Sequence, residues 1–199
     1  AMRCAMRWTL ARSINELECL NSMAKTFSTV RELIYWEYAK LVVGRVVGNR
    51  QQYAFVNHIY RQFCGQKMSP AAILVENKKL FIEADQCAYC GNSTDLQWEH
   101  IIPLAMGGPD NIDNLVRACR SCNLEKGARD PYQWYAARHD LDGIPRLVLG
   151  KFLKLTFARY AELGLLDDSP AFKANRVERL TLGQVFRMPA LVTVSSGVK

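Results

Sequence analysis

No stretch of this chain approaches the ~18 to 20 consecutive apolar residues that a membrane-spanning helix requires. The N-terminal region also lacks the apolar core of a secretory signal. A membrane is therefore not an expected partner, and a cytoplasmic setting is. Ala1 ahead of Met2 reads as a residue left by tag cleavage, with Met2 as the expected native start. Internal repeats and low-complexity tracts are missing too, which removes repeat architectures and compositionally biased segments. Seven cysteines are too few and too scattered for a disulfide framework, and a chain of 199 residues can bury a core without one. Of the seven, Cys4, Cys19 and Cys64 stand alone, and isolated cysteines such as Cys19 and Cys64 are expected as small buried apolar residues. With 49% hydrophobic and 23% charged residues the composition is that of an ordinary globular protein. The formal charge of +7 favours a polyanionic partner such as nucleic acid.

Residues 1–84 read as a helical region. Ser13 and Glu16 stand three apart before an apolar stretch, the capping-box pattern, and Thr29 and Glu32 repeat it. From the second start, Val30, Leu33, Ile34, Leu41 and Val42 fall near one helical face as far as Gly44. A third helix is expected from about Gln52 to Phe63. A fourth begins where Ser69 can cap, Pro70 suits the first helical position and Ala71 to Glu83 contains no breaker. Residues 85–130 change texture to short strands, Gly107-Gly108 and paired cysteines, and are expected as a separate module. In 131–199 helices resume at Asp130-Pro131 and at Pro145, the latter carrying Leu149, Phe152, Leu153, Thr156, Phe157 and Tyr160 up to Gly164. Ser169-Pro170 and Gly183 are turn signals before the tail. The expected class is α+β: a mainly helical protein with one small zinc module embedded in it.

Cys87-Ala-Tyr-Cys90 and Cys119-Arg-Ser-Cys122 are two CxxC pairs. Each can present two thiolates to one ion, and zinc favours such tetrahedral sulfur ligation. Four cysteine ligands leave no position open for water, so this zinc is structural. Gly91 directly after the first pair suits the sharp backbone of such a turn. A thioredoxin-like redox reading needs one CxxC in a βαβ context, which is not found here.

Between the pairs, Leu96-Gln97-Trp98-Glu99-His100-Ile101-Ile102-Pro103-Leu104 is a β-prone run ended by proline. Gly107-Gly108 and the polar segment Pro109 to Asn114 follow, with Asp110 and Asp113 expected to cap the turn. Leu115 to Ala118 is the returning strand, and a short helix is expected over Asn123 to Ala128. Asn114 lies fourteen residues after His100, and Asn123 nine after Asn114.

In these elements, over Cys87 to Ala128, the chain resembles the four-cysteine branch of the HNH endonuclease family, with its ββα-metal fold. The resemblance implies His100 as the catalytic histidine, Asn114 as the residue that orients its ring, and Glu99 with Asn123 as ligands of a catalytic divalent cation, Mg²⁺ or Mn²⁺. At position 99 the family most often has Asp, so the carboxylate here stands one methylene further from the backbone.

The chemistry agrees with those residue types. Phosphodiester hydrolysis needs a positioned base for water and a cation for the developing charge, and imidazole is the side chain best able to trade a proton near neutral pH. Consecutive strand residues point to opposite faces, so Glu99 and His100 can serve one site only if the strand ends or distorts there. Arg117, Arg120, Lys126 and Arg129 are candidates to hold flanking phosphates. Tyr89 and Trp98 could stack on bases, but in so small a module they are expected in the core. His58 and His139 have no supporting neighbours and are expected at the surface or in helix packing.

The function implied is a divalent-metal-dependent endonuclease acting on DNA, in a restriction or phage-defence setting. RNA is the variant substrate, and a homodimer is the arrangement that would let two such centres cut both strands. A non-catalytic zinc-dependent nucleic-acid-binding module, in which Glu99 and His100 are merely structural, is the alternative.

Overall fold

The computed structural model describes residues 27–67, 85–167 and 179–189. The helices expected after Ser13 and Ser69, the turn at Ser169-Pro170, and Cys4 and Cys19 lie outside these residues.

Helix α1 spans Val30–Val47. Thr29 caps it by accepting from the Glu32 N–H at 3.2 Å, while the Glu32 carboxylate turns back to the N–H and hydroxyl of Ser28, one residue before the cap. The helix does not stop at Gly44. It runs one further turn to Gly48, which closes it in the left-handed region at φ 76°. Gly44 serves instead as a crossing point, because a Cβ there would lie 2.6 Å from Arg50 Cγ. Helix α2, Tyr53–Cys64, packs on α1 through Val56 and Phe63. Cys64, expected inside, is exposed, since it stands one residue on from buried Phe63 and so faces water.

The module follows as strand β1 (Leu96–His100), strand β2 (Leu115–Cys119) and helix α3 (Arg120–Lys126). The strands are antiparallel, with Leu96 opposite Cys119 and His100 opposite Leu115. The β-prone run thus ends at His100. Helix α3 begins three residues earlier than expected, so Cys122 sits on the helix and not before it. Helix α4, Pro131–Ala137, carries a complete capping box between Asp130 and Gln133, with proline at the first helical position. Helix α5 spans Arg146–Glu162 after Pro145. Gly183, expected in a turn, lies within a 3₁₀ run, Arg179–Arg187.

The helical segments and the module share one core. Ile101, Ile102 and Val116 of the module are buried in the same apolar cluster as Leu33 and Ile34 of α1 and Val148, Phe152 and Leu153 of α5. Because α1 is packed by both α2 and α5, residues around most of its circumference are buried, among them Glu37. That carboxylate is matched by the Tyr132 hydroxyl at 2.9 Å and Lys40 at 3.4 Å, as a buried charge requires. Lys151 of α5 donates to the carbonyls of Ile112 and Leu115 at 2.8 and 2.9 Å, clamping the turn that leads into β2. No described helix is long and apolar enough to cross a membrane.

Asp130 gives the fold a pH signature. Its Oδ1 accepts from the Gln133 N–H at 2.9 Å, but Oδ2 is buried without a partner against Gly183, where a Cβ would come within 2.3 Å. Burial pushes the carboxyl up to about 6, only partly opposed by the backbone N–H of Gln133. The folded chain therefore binds this proton more tightly than the unfolded one, whose Asp titrates near ~3.9. Stability from this group is present in full below the unfolded value and is lost as pH rises through about 6. Thermal denaturation at fixed ionic strength should show Tm rising as pH falls from neutral through about 6, with Asp130→Asn flattening that rise.

Candidate active site and metal centre

The two CxxC turns meet at the open end of the hairpin. Cys87 and Cys90 lie on the loop before β1, Cys119 ends β2 and Cys122 is in the first turn of α3. The backbone builds the first turn around sulfur: Tyr89 N–H donates to Cys87 Sγ at 3.4 Å, and Gly91 N–H donates to the Cys87 carbonyl at 2.9 Å. Gly91 adopts φ 76°, the conformation that favours glycine there. All four sulfurs lie within 4.8 Å of one another, and Cys90 and Cys119 are 3.7 Å apart. A tetrahedron with zinc–sulfur bonds of about 2.3 Å has sulfurs about 3.8 Å apart, so the cage fits one zinc ion. Burial raises the Cys87 thiol, but the N–H groups of Cys119, Cys90 and Tyr89 pull it down to about 7, whereas burial and the hydrogen bonds to Cys90 and Cys119 push the Cys122 thiol up, so that a bound metal would have to displace its proton.

β1 carries Glu99 and His100 to opposite sides. Glu99 points inward, 5% exposed, with Oε1 on the Lys126 ammonium at 2.5 Å and Oε2 on the Tyr89 hydroxyl at 2.6 Å. Lys126, expected at the phosphates, is instead fully buried and donates a second bond to the His100 carbonyl at 2.9 Å. Burial lowers its pKa and Glu99 raises it in opposition. Both Glu99 oxygens are thus committed, and this arrangement does not offer them to a divalent cation.

His100 turns outward and meets Asp110, a residue expected to cap the turn. Its Nε2 lies 2.9 Å from Asp110 Oδ1, and the Asp110 side chain is 77% exposed. The turn is capped by Asn111 instead, whose side chain accepts from the Asp113 N–H at 3.1 Å. No local pattern marks Asp110 as a partner of His100. The only sequence signal is a carboxylate ten residues on in a loop that must fold back.

Asn114 makes that loop fold back. Its side chain is wholly buried, accepts from the Ile102 N–H at 2.9 Å, and donates to the Ile102 and Pro109 carbonyls at 2.8 and 2.9 Å. Its own carbonyl accepts from the Ile101 N–H at 2.8 Å. These bonds pin the chain just after His100 to the chain just before Asp110. Asn114 therefore fixes the His100 neighbourhood through the main chain, and its amide does not touch the ring. Gly108 completes the loop, because a Cβ there would sit 2.1 Å from the Ile102 carbonyl oxygen.

Asn123 stands three residues before Lys126 on α3, on the same helical face by spacing, and its side chain makes no hydrogen bond among the described residues. Of the remaining basic candidates, Arg120 is exposed and Arg117 lies over the Trp98 ring, 5.2 Å from its centroid. Arg129 is turned back to the carbonyls of Glu125 and Lys126, where it caps α3. Tyr89 is in the core as expected, edge-on to Trp134 at 4.9 Å, whereas Trp98 is exposed. His58 and His139 are at the surface.

A family model described as HNH endonuclease matches residues 87–133, the hairpin, helix and cysteine cage just described. This segment belongs to the HNH endonuclease family. Over 63 residues the chain is 36% identical to the CRISPR-associated endonuclease Cas9 of Corynebacterium diphtheriae. That stretch is 30% of this chain and only 6% of that protein. No solved structure matches.

Two outcomes follow for the HNH module. Removing one member of the Glu99–Lys126 pair strands a buried charge, so Glu99→Gln or Lys126→Met should each lower stability by roughly 3–5 kcal/mol, with the double variant losing less than the two singles together; denaturant unfolding of all four proteins checks this. The cage should bind one zinc per chain. Chelation or Cys122→Ser should expose the module to hydrogen exchange, because metal binding here is folding free energy.

Proposed function

We propose that this protein is an endonuclease that hydrolyses phosphodiester bonds of DNA with the aid of a divalent cation, Mg²⁺ or Mn²⁺, in a restriction or phage-defence setting. The observation that carries the reading is the outward-facing His100, held by Asp110 on a loop fastened at both ends by Asn114, within a segment of the HNH endonuclease family. With Nε2–H donating to Asp110, Nδ1 is the nitrogen left to take a proton from water. His100 is then the general base, Asp110 its positioning residue, and Asn114 the residue that sets the distance between them.

A bound cation would stabilise the charge that develops on the phosphate. Asp110 is the carboxylate in contact with the His100 ring, and Asn123, on α3, is a candidate oxygen donor whose amide makes no other hydrogen bond among the described residues. Glu99 would join them only if Lys126 released it, and its pairing gives it a different task here: through Lys126 it anchors the carbonyl of His100. The net charge of +7 supports a polyanionic substrate.

The same commitment of Glu99 favours a second reading, a zinc module that binds nucleic acid without cutting it. Supercoiled plasmid incubated with Mg²⁺ or Mn²⁺ separates the two. Under the nuclease reading wild type cuts, His100→Ala loses about 10²- to 10⁴-fold in rate, and Asp110→Asn retains part of the activity. If wild type and His100→Ala are equally inert with either cation, the binding module is the better account.

A further inference from the structure

Trp98 sits at the centre of β1 and is 45% exposed, in a chain that buries Trp36 and Trp134. Strand alternation places Leu96, Trp98 and His100 on one face of β1 and Gln97 and Glu99 on the other, and the burial of Glu99 agrees. Trp98 and His100 therefore share a face, about 7 Å apart along the strand. Across the ladder the partner of Trp98 is Arg117, whose guanidinium lies over the indole, 5.2 Å from the ring centroid. Arg120, exposed, follows at the end of β2. The outer face of the hairpin thus presents an aromatic plane, a stacked cation and the His100 imidazole side by side.

We propose that Trp98 and Arg117 form a stacking platform for an unpaired nucleotide of the DNA strand presented to His100, so that the preferred substrate is single-stranded or locally opened DNA. The proposal rests on the nuclease reading for what happens at His100, but not for what the platform binds. An indole can stack on a base of any identity, because every base has a π face, but only on a base outside the double-helical stack. A guanidinium that lies over an aromatic ring still has N–H groups to offer to phosphate oxygens. Stack and charge together fit one nucleotide with its 5′ or 3′ phosphate, and the excess positive charge of the chain attracts the strand that carries it.

The test is a binding comparison on the His100→Ala protein without Mg²⁺, so that nothing is cut. Fluorescence anisotropy follows a labelled oligodeoxynucleotide, single-stranded or annealed to its complement. Adding Trp98→Ala should weaken single-strand binding about tenfold, the ~1.4 kcal/mol of one stacked base. Trp98→Phe should recover most of that loss, and duplex binding should change far less. Should the alanine variant lose its zinc, Arg117→Lys, which keeps the charge but not the planar guanidinium, carries the same comparison. Equal weakening toward single strand and duplex, or no weakening, overturns the platform. Cleavage by wild type with Mg²⁺ or Mn²⁺ is measured separately: no cutting with either cation overturns the nuclease reading, while the binding comparison still decides whether Trp98 meets an unpaired base.

Discussion

The HNH module is organised around one buried ammonium. Lys126 of α3 reaches across to β1 and bonds both the Glu99 carboxylate and the His100 carbonyl, while the far oxygen of Glu99 takes the Tyr89 hydroxyl from the cysteine loop. Helix, strand and zinc loop are therefore joined at one point with no polar atom of that cluster left facing apolar surroundings. In a low-dielectric interior such a set holds only when every member is present, since each charge is tolerable because of the other. The consequence for the site is directional. Holding Glu99 on the inner side leaves its neighbour His100 nowhere to point but outward, toward solvent and Asp110.

The cysteine cage and the Lys126 cluster act on opposite ends of the same hairpin. The cage joins the start of β1 to the end of β2 and the first turn of α3, and the cluster joins the end of β1 to the last turn of α3. A two-stranded sheet is marginal by itself. Here it is bound at one end by sulfur and at the other by an ion pair, and its inner face is covered by Ile101, Ile102 and Val116 sharing the core of the long helices. Lys151 of α5 extends that support to the loop before β2, so a residue far along the chain helps to set where Asn114 sits.

Much of this was legible in the residues themselves, and the reasons differ between elements. The CxxC pairs, the Thr29 and Asp130 caps and the proline-led helices are local signals with local physics, and the helices that begin at Val30, Pro131 and Arg146 start where those signals stand. The two strands were readable as alternating β-prone runs closed by turn residues. What could not be read was pairing at a distance. A lysine four residues after Cys122 looks like a surface cation until a carboxylate twenty-seven residues earlier is seen to face it. Trp98 looks like core until the helix is found on the other face of the strand. Asp110 looks like a turn cap until Asn114 folds the loop onto His100. In each case the side chain's role follows from which face of a two-residue period the fold covers.

The clearance at Gly108 has a consequence for how this loop can vary among proteins built the same way. With an Ile102 carbonyl oxygen 2.1 Å from where a first side-chain carbon would stand, even one methyl group must push the strands of the loop apart. That displacement would pass straight to Pro109 and from there to the carboxylate beside the imidazole. The distance between imidazole and carboxylate is thus guarded by an atom that is not there.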